Sequence, residues 1–160
     1  MKLKKLHIKN YKNLKEFDLD FENDNGLSII VGNNGSGKSN ILEAISGIFC
    51  EWYGKKSEEF KCDYIIEYYQ DNVLYSLKKE NGRRSFYINE EKQSSIDYAD
   101  LFLPSNIIAL YSGEDVRLWE KFYEPTYLQY FDDLFAGKTV RMGMYYVNKY
   151  LWNISLFTML

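Results

Sequence analysis

The sequence predicts an α/β fold that combines a mixed β-sheet with an antiparallel β-subdomain. Short segments near the N-terminus and in the middle of the chain alternate apolar and polar residues, as half-buried strands do. Between them, a short apolar run leads into a glycine-rich loop, and an amphipathic helix pattern follows that loop directly. A chain of 160 residues fits one domain, or one lobe of a larger protein.

The composition indicates a folded protein without a global attraction to nucleic acid or anionic membranes. Apolar residues make up 46% of the chain, which is enough for a core, and the formal net charge is only −3. Charge is nevertheless segregated, because residues 2–15 contain six lysines and no acid, whereas residues 16–24 contain five acids. Such runs are typical of solvated strand faces.

No targeting signal, disulfide framework or membrane-spanning segment is expected. The two cysteines lie twelve positions apart without a neighbouring histidine, so reduced thiols and a cytoplasmic location are the default. The N-terminus leads into an alternating pattern rather than into the apolar core of a signal peptide. Residues 142–160 are rich in apolar side chains but are interrupted by Asn148, Lys149 and Asn153, whereas a membrane span needs ~20 predominantly apolar residues.

The first three elements are predicted to be strands. Apolar residues alternate with lysines around Leu6 and Ile8 and with aspartates from Phe17 to Phe21, and a turn around residues 10–13 joins the two segments. After a turn signal at residues 24–26, the apolar run Leu27-Ser28-Ile29-Ile30-Val31 ends at a glycine. This run has the pattern of a central, fully buried strand.

A helix and an antiparallel meander are predicted next. Apolar residues recur at helical spacing after the loop, at Ile41, Leu42, Ala44, Ile45, Ile48 and Phe49. Residues 62–69, 73–79 and 85–89 have strand patterns, with a turn at residues 80–83, and residues 93–95 are predicted to be loop.

The last third of the chain is rich in aromatic residues. Pro104 precedes a second apolar run, at residues 107–111, which is predicted to be a buried strand; residues 115–135 are predicted to be helical with a break at Pro125. A strand is expected within residues 138–147 and the start of a helix at residues 150–160. A short domain cannot bury all thirteen aromatic side chains between Tyr111 and Phe157, so we expect both a partner surface and a compositional bias. Because the chain stops within an apolar stretch, we expect it to be part of a longer one.

The glycine-rich loop fits the phosphate-binding pattern G-x-x-x-x-G-K-[ST] in full. Its residues are Gly32, Asn33, Asn34, Gly35, Ser36, Gly37, Lys38 and Ser39. Glycines let the backbone fold around phosphate oxygens, and the following helix adds unpaired amides and the positive end of its dipole. Lys38 is expected to lie between the β- and γ-phosphates and to act in catalysis, and Ser39 is expected to bind Mg²⁺. A chance turn ending in Gly-Lys-Ser does not account for the strand and helix patterns on either side.

The nucleotide is predicted to be ATP rather than GTP. GTP-specific proteins of this kind read guanine with Asn-Lys-x-Asp, whose carboxylate pairs with the guanine N–H donors. This chain has Asn148-Lys149-Tyr150-Leu151, so the carboxylate is replaced by an apolar side chain.

The N-terminal third of the chain resembles the first lobe of RecF/SMC-type ABC ATPases, a class that includes OLD-type nucleases and bacterial restriction- and phage-defence-associated ATPases. The resemblance lies in residues 6–14, in the acidic strand at residues 17–19 and in residues 30–45, whose loop has the form G-x-N-G-S-G-K-S-N. It implies that Lys12 and Asn13 lie beside the phosphates or ribose, and that residues 62–89 form the β-subdomain of the lobe. Asn40, directly after the loop, is also expected to bind the nucleotide. An exposed turn lysine is the alternative interpretation of Lys12.

The motifs that complete such an ATPase are not evident in this sequence. Glu114 is the nearest polar candidate for the Q-loop position. A degenerate signature at Ser112-Gly113-Glu114, with a Walker B strand at residues 127–133, is possible in spacing, but it lacks the second glycine and places Gln129 in a buried strand. A helix suits the same residues, with one apolar face formed by Leu128, Phe131, Leu134 and Phe135. The only histidine, His7, precedes the loop and so does not supply the switch histidine.

The resemblance implies a single ATPase lobe at residues 1–160 that binds ATP and Mg²⁺ and takes its hydrolytic base from elsewhere. Its expected partners are a second ATPase head or a missing C-terminal lobe, with a nuclease or effector protein and DNA as further candidates, in DNA repair or anti-phage defence. The alternative is a nucleotide-binding assembly module without turnover. A small kinase needs an arginine-rich lid, and the only adjacent pair, Arg83-Arg84, lies at a predicted hairpin turn.

Overall fold

The computed structural model describes residues 1–21, 27–53, 60–94, 102–111 and 116–148. It divides into two compact units. The first comprises Met1–Ile45 and Phe60–Leu103, and the second comprises Ser46–Glu59 and Pro104–Leu160.

The first unit contains a six-stranded sheet in the order β2-β1-β3-β4-β5-β6, in which every neighbouring pair is antiparallel. The strands are β1 Lys2–Tyr11, β2 Leu14–Asp20, β3 Tyr64–Gln70, β4 Val73–Glu80, β5 Arg83–Ile88 and β6 Glu91–Lys92. The predicted N-terminal hairpin and the predicted meander are therefore confirmed, and the short β6 adds one strand immediately before the predicted loop.

The alternating patterns of β1 and β3 place one set of side chains in the core of the first unit. Leu6 and Ile8 of β1 and Ile66 and Tyr68 of β3 are fully buried, as two-residue periodicity requires. On β4 and β5, Tyr75 and Phe86 stack with Phe102, with ring centroids 5.7 and 5.8 Å from that ring.

The segregated charges of the N-terminal hairpin are paired within the sheet. Lys5 of β1 lies 3.7 Å from the Asp18 carboxylate of β2, and Lys4 lies 3.3 Å from the Glu67 carboxylate of β3. Lys9 lies 3.5 Å from Asp63. These three of the six lysines therefore face acids, and one of these acids, Asp18, belongs to the acidic run.

Asp63 closes the β4–β5 turn. Its carboxylate accepts hydrogen bonds from the backbone amides of Asn81, at 3.0 Å, and Gly82, at 3.3 Å, both of which have positive φ angles. The hydrogen bonds from Asn81 and Gly82, together with that from Lys9, hold the pKa of Asp63 below its ordinary value although partial burial opposes this.

The helix predicted after the glycine-rich loop is confirmed as α1, Lys38–Trp52. Its buried side chains include Ile41, Ala44, Ile48 and Phe49, which recur at intervals of three and four residues.

The prediction of a buried central strand at residues 27–31 is wrong. The segment forms no strand, and Leu27, Ile29 and Val31 are 77%, 77% and 84% exposed. An apolar run becomes a central strand only if other strands pair with both of its edges. Within the described part of the chain, no strand pairs with residues 27–31.

The second unit contains a two-stranded parallel sheet of β7, Ile107–Tyr111, and β8, Met144–Asn148. Both strands were predicted. The burial predicted for β7 is wrong in part, because Ile108 and Leu110 are 50% and 51% exposed. A parallel sheet is normally covered on both faces, and this face of β7 is not.

The helical region predicted near Pro125 is confirmed, but the chain does not break at that proline. A π-helical turn, Trp119–Tyr123, leads directly into α2, Glu124–Phe135, where the proline lies in the first turn. The Glu124 amide donates to the Trp119 carbonyl, five residues earlier. Proline has no N–H to continue the regular α-helical hydrogen-bond ladder, and the irregular π-helical turn lies directly before it.

The Walker B strand considered at residues 127–133 is wrong, because these residues lie within α2. The helical alternative is confirmed, and its four apolar residues Leu128, Phe131, Leu134 and Phe135 are all exposed. Near the other end of this helical region, Tyr123 is fully buried and its hydroxyl lies 3.1 Å from Ser46 Oγ. Burial raises the pKa of Tyr123 to about 12.

Several predictions lie outside the described residues. They concern the turn at residues 24–26, the Ser112-Gly113-Glu114 string and the helix start at residues 150–160. Among the helices of the described residues, none is long and apolar enough to cross a membrane.

Candidate functional site

The glycine-rich loop forms a tight turn immediately before α1. The Ser36 amide donates a hydrogen bond to the Asn33 carbonyl at 3.2 Å, and Gly35 and Gly37 have φ angles of 82° and 102°. These angles strain any residue that has a Cβ atom, so glycine is required for this path of the chain. Gly32, Asn33, Asn34, Gly35 and Ser36 are all exposed.

Lys38 lies across the loop that precedes it. Its ammonium donates hydrogen bonds to the carbonyl oxygens of Gly32, at 2.6 Å, and Asn33, at 2.7 Å. The backbone of the turn thus fixes the end of the Lys38 side chain. This arrangement places one positive charge beside the start of the helix.

The N-terminus of α1 provides further hydrogen-bond donors. The Ile41 amide donates to the Gly37 carbonyl at 3.0 Å, so the amides of residues 38–40 precede the first helical hydrogen bond. Ser39 is exposed and Asn40 is half-buried. Together with the helix dipole, these amides form a site that suits an anion.

Asn13 joins the β1–β2 turn to the loop. Its Nδ2 donates to the Gly35 carbonyl at 3.2 Å, and its Oδ1 accepts a hydrogen bond from Asn40 Nδ2 at 2.6 Å. A Cβ atom added at Gly37 would lie only 2.8 Å from Asn13 Nδ2. Asn13 therefore connects Asn40 with the loop.

Lys12 occupies the same turn but reaches a different partner. It has a φ angle of 54°, and its ammonium forms an ion pair with the Glu43 carboxylate on α1. The Tyr11 hydroxyl donates to the same carboxylate oxygen, Glu43 Oε2, at 3.0 Å. Lys12 is thus an exposed turn residue, as the alternative interpretation had it, but its ammonium is paired with a buried acid.

Glu43 and Tyr11 belong to this network and were not predicted from the sequence. Glu43 is 4% exposed, although it is an acid on a helix whose other buried residues are mostly apolar. The sequence signal for a buried ion pair here is the position of Glu43 among the apolar residues of α1, because a buried acid needs a partner.

The described residues contain no group of three or more histidine, cysteine or acidic side chains placed to hold a metal ion.

A pocket elsewhere in the first unit offers a weaker candidate. It has a volume of about 340 Å³ and is lined by nine residues, among them His7, Glu16, Asp63 and Lys79. Its polar groups already have partners. The Asp63 carboxylate binds two backbone amides, His7 Nδ1 lies 3.1 Å from Asp18, and the Lys79 ammonium donates to the Phe60 carbonyl at 2.9 Å. The glycine-rich loop is therefore the better site.

Comparisons with known proteins identify the family of this chain. Residues 1–149 match the family described as the AAA ATPase domain. DNA replication and repair protein RecF from Histophilus somni (strain 2336) is 30% identical over 117 residues, which cover 73% of this chain and 29% of that protein. Chromosome partition protein Smc from Methanocaldococcus jannaschii is 34% identical over 94 residues, which cover 56% of this chain and 8% of Smc.

A solved structure from a study of ATP-driven dimerization and DNA stimulated activation of SMC ATPases also aligns with the chain. The TM-score is 0.47 and the identity 20%, over 84% of this chain and 99% of that one. The chain spans less than a third of the RecF protein it matches, at 29% of its length. The chain belongs to the AAA ATPase domain family, as an N-terminal lobe of the RecF/SMC type of ABC ATPase.

Proposed function

We propose that the loop at residues 32–39 binds the triphosphate of ATP together with Mg²⁺. The position of Lys38 is the observation that supports this most strongly. Its ammonium binds the two carbonyls at the start of the turn, and the amides at the start of α1 follow directly after that turn. Positive φ angles at Gly35 and Gly37 keep the loop narrow, and polyphosphate oxygens suit a concave set of amides.

Lys38 and Ser39 of the loop, and three residues beside it, have proposed roles. Lys38 is the residue that stabilises negative charge on the β- and γ-phosphates, and it exchanges its two carbonyl partners for phosphate oxygens when nucleotide binds. Ser39 would hold Mg²⁺ through its hydroxyl, and the ion would neutralise phosphate charge. Asn13 binds the loop at Gly35 and is itself bound by Asn40, and Lys12, paired with Glu43, lies beside Asn13 in the adjacent turn.

We propose ATP rather than GTP as the ligand, because Leu151 stands where a guanine-reading carboxylate is needed. We also propose that residues 1–160 bind nucleotide as part of one ATPase lobe, and that hydrolysis requires a general base from outside this segment. The string considered as Walker B lies in α2, which supports that division of labour.

An isothermal titration of the 160-residue chain with Mg-ATP tests the binding site. Binding that needs Mg²⁺ and that disappears in Lys38→Ala supports the proposal, whereas a folded protein that takes up no Mg-ATP refutes it. A parallel titration with Mg-GTP tests nucleotide choice, and weaker binding of Mg-GTP is the expected result.

The longer protein is proposed to act as an ATPase head in DNA repair, because its relatives include a DNA replication and repair protein and a chromosome partition protein. Anti-phage defence with a nuclease or effector partner is the second form of this proposal, and the expected location is cytoplasmic. Exposed apolar residues of α2 support a protein partner, either a C-terminal lobe or a second ATPase head.

A nucleotide-dependent assembly module is the alternative function. The absence of a Walker B strand from residues 127–133 favours it for this segment. Steady-state phosphate release by the longest natural chain distinguishes the two functions. Release that Lys38→Ala abolishes indicates an ATPase, whereas tight binding without release indicates an assembly module.

A further inference from the structure

We propose that Glu43 is a positioning residue for the nucleotide site, acting through the β1–β2 turn on the glycine-rich loop. The inference rests on the proposed function, since it names a residue that sets the shape of the same loop. The Glu43 carboxylate binds Tyr11 and Lys12 of the β1–β2 hairpin, so its side chain acts on the loop through Lys12 and Asn13.

The first step is the burial of the Glu43 carboxylate. The residue is 4% exposed, and Oε2 accepts a hydrogen bond from the Tyr11 hydroxyl at 3.0 Å and an ion pair from Lys12. A buried carboxylate is strongly unfavourable without such partners. Glu43 and the end of β1 are therefore bound to each other, and a change in the position of one requires a change in the other.

The second step is the conformation of the turn. Lys12 has a φ angle of 54°, in the left-handed region that a residue with a Cβ atom rarely adopts. Its side chain is 32% exposed and ends at the buried acid. The ion pair therefore favours a turn conformation that the backbone of Lys12 does not prefer.

The third step is the contact between the turn and the loop. Asn13, the next residue, donates to the Gly35 carbonyl at 3.2 Å and accepts from Asn40 at 2.6 Å. A peptide unit is planar, so fixing the Gly35 carbonyl also fixes the direction of the Ser36 amide. The Ser36 amide in turn donates to the Asn33 carbonyl at 3.2 Å, so the contact between Asn13 and Gly35 helps to set the turn of the loop.

A double-mutant cycle on Mg-ATP binding by the 160-residue chain tests this path. Glu43→Gln keeps the shape and the acceptor for Tyr11 but removes the charge that holds Lys12. Asn13→Ala removes the contact with Gly35. We expect each single substitution to raise the dissociation constant for Mg-ATP about 5- to 20-fold. We expect the double variant to bind Mg-ATP no more weakly than the single variant with the lower affinity.

A matched control is Glu67→Gln, which breaks an ion pair with Lys4 of 3.3 Å in the same sheet but away from the loop. We expect its Mg-ATP affinity to stay within about twofold of that of the wild type. A role in stability alone would lower the melting temperature of Glu43→Gln without coupling to Asn13.

Two outcomes overturn the inference: an unchanged affinity in Glu43→Gln, or a double variant whose loss is the product of the two single losses. If Glu43→Gln does not fold, Lys12→Gln takes its place in the cycle, and the same two outcomes apply. Failure of the proposed function is recognised separately, because in that case the wild-type chain itself does not bind Mg-ATP.

Discussion

The side chain of Asn13 occupies the space that a methyl group on Gly37 would need. A Cβ atom at Gly37 would lie 2.8 Å from Nδ2 and 2.9 Å from Oδ1 of Asn13, and the Gly37 φ angle is 102°. Two separate constraints, one local and one from a neighbouring turn, therefore require glycine at this position.

Gly37→Ala is expected to lower the free energy of unfolding by about 2–4 kcal/mol, because backbone strain and a steric clash with Asn13 add. Gly137→Ala is the matched control: its φ angle is 73°, but no atom lies within 4 Å of an added Cβ. The control is expected to lose only about 1–2 kcal/mol. Denaturant unfolding of both variants measures the difference, and equal losses would show that the Asn13 contact has no steric effect.

Lys38→Ala is expected to weaken Mg-ATP binding by at least about 30-fold, since a hydrogen-bonded ammonium contributes about 2 kcal/mol or more to a charged ligand. Lys138→Ala is the control, because that ammonium donates to Asp133 at 2.7 Å on a side chain that is 64% exposed. Isothermal titration compares the two. A similar loss in both variants would mean that Lys38 has no special role.

The acid limb of the stability curve is expected to depend on Asp63. Its pKa is lowered in the folded state, so its carboxylate stabilises the fold at pH values above its unfolded pKa of about 4 and loses that effect as the pH falls through its folded pKa. Asp63→Asn is expected to lower stability at pH 7 by about 1 kcal/mol and to flatten the decline below pH ~4. Urea unfolding between pH 2.5 and 7 measures this. An equally steep decline in the variant would assign the acid limb to other groups.

The exposed face of α2 is expected to matter in the longer protein and not in the isolated segment. Phe131 and Phe135 are 48% and 86% exposed, so replacing both by serine is expected to change the stability of the 160-residue chain by no more than about 1 kcal/mol. In the longer protein, the same double substitution is expected to lower the free energy of unfolding by about 2 kcal/mol or more, because it removes apolar surface that a second lobe would bury.

Phe122→Ala is the contrasting variant, because Phe122 is fully buried in the second unit. It is expected to lower stability by about 3–5 kcal/mol in either form of the protein. Thermal unfolding of both forms measures these differences. An equal response of the two forms to the α2 double substitution would mean that no lobe covers this face.

Local patterns in the sequence predicted most elements of the fold. Alternation at Leu6 and Ile8 fixed which face of β1 is buried, and helical spacing from Ile41 to Phe49 predicted α1, because both patterns report burial by direct neighbours. The same reasoning failed for residues 27–31. Their apolar character indicates a buried strand, but burial depends on neighbours that this pattern does not specify.

The sequence by itself determined the loop chemistry, because the glycines, lysine and serine that suit a polyphosphate lie at fixed spacing within one short segment. Only the tertiary structure showed that Glu43 holds Lys12 and that Asn13 restricts Gly37, since these contacts join residues about thirty and twenty-four positions apart. Local spacing carries information about residues that are near in the chain. A buried carboxylate finds its partner only when strand and helix have packed.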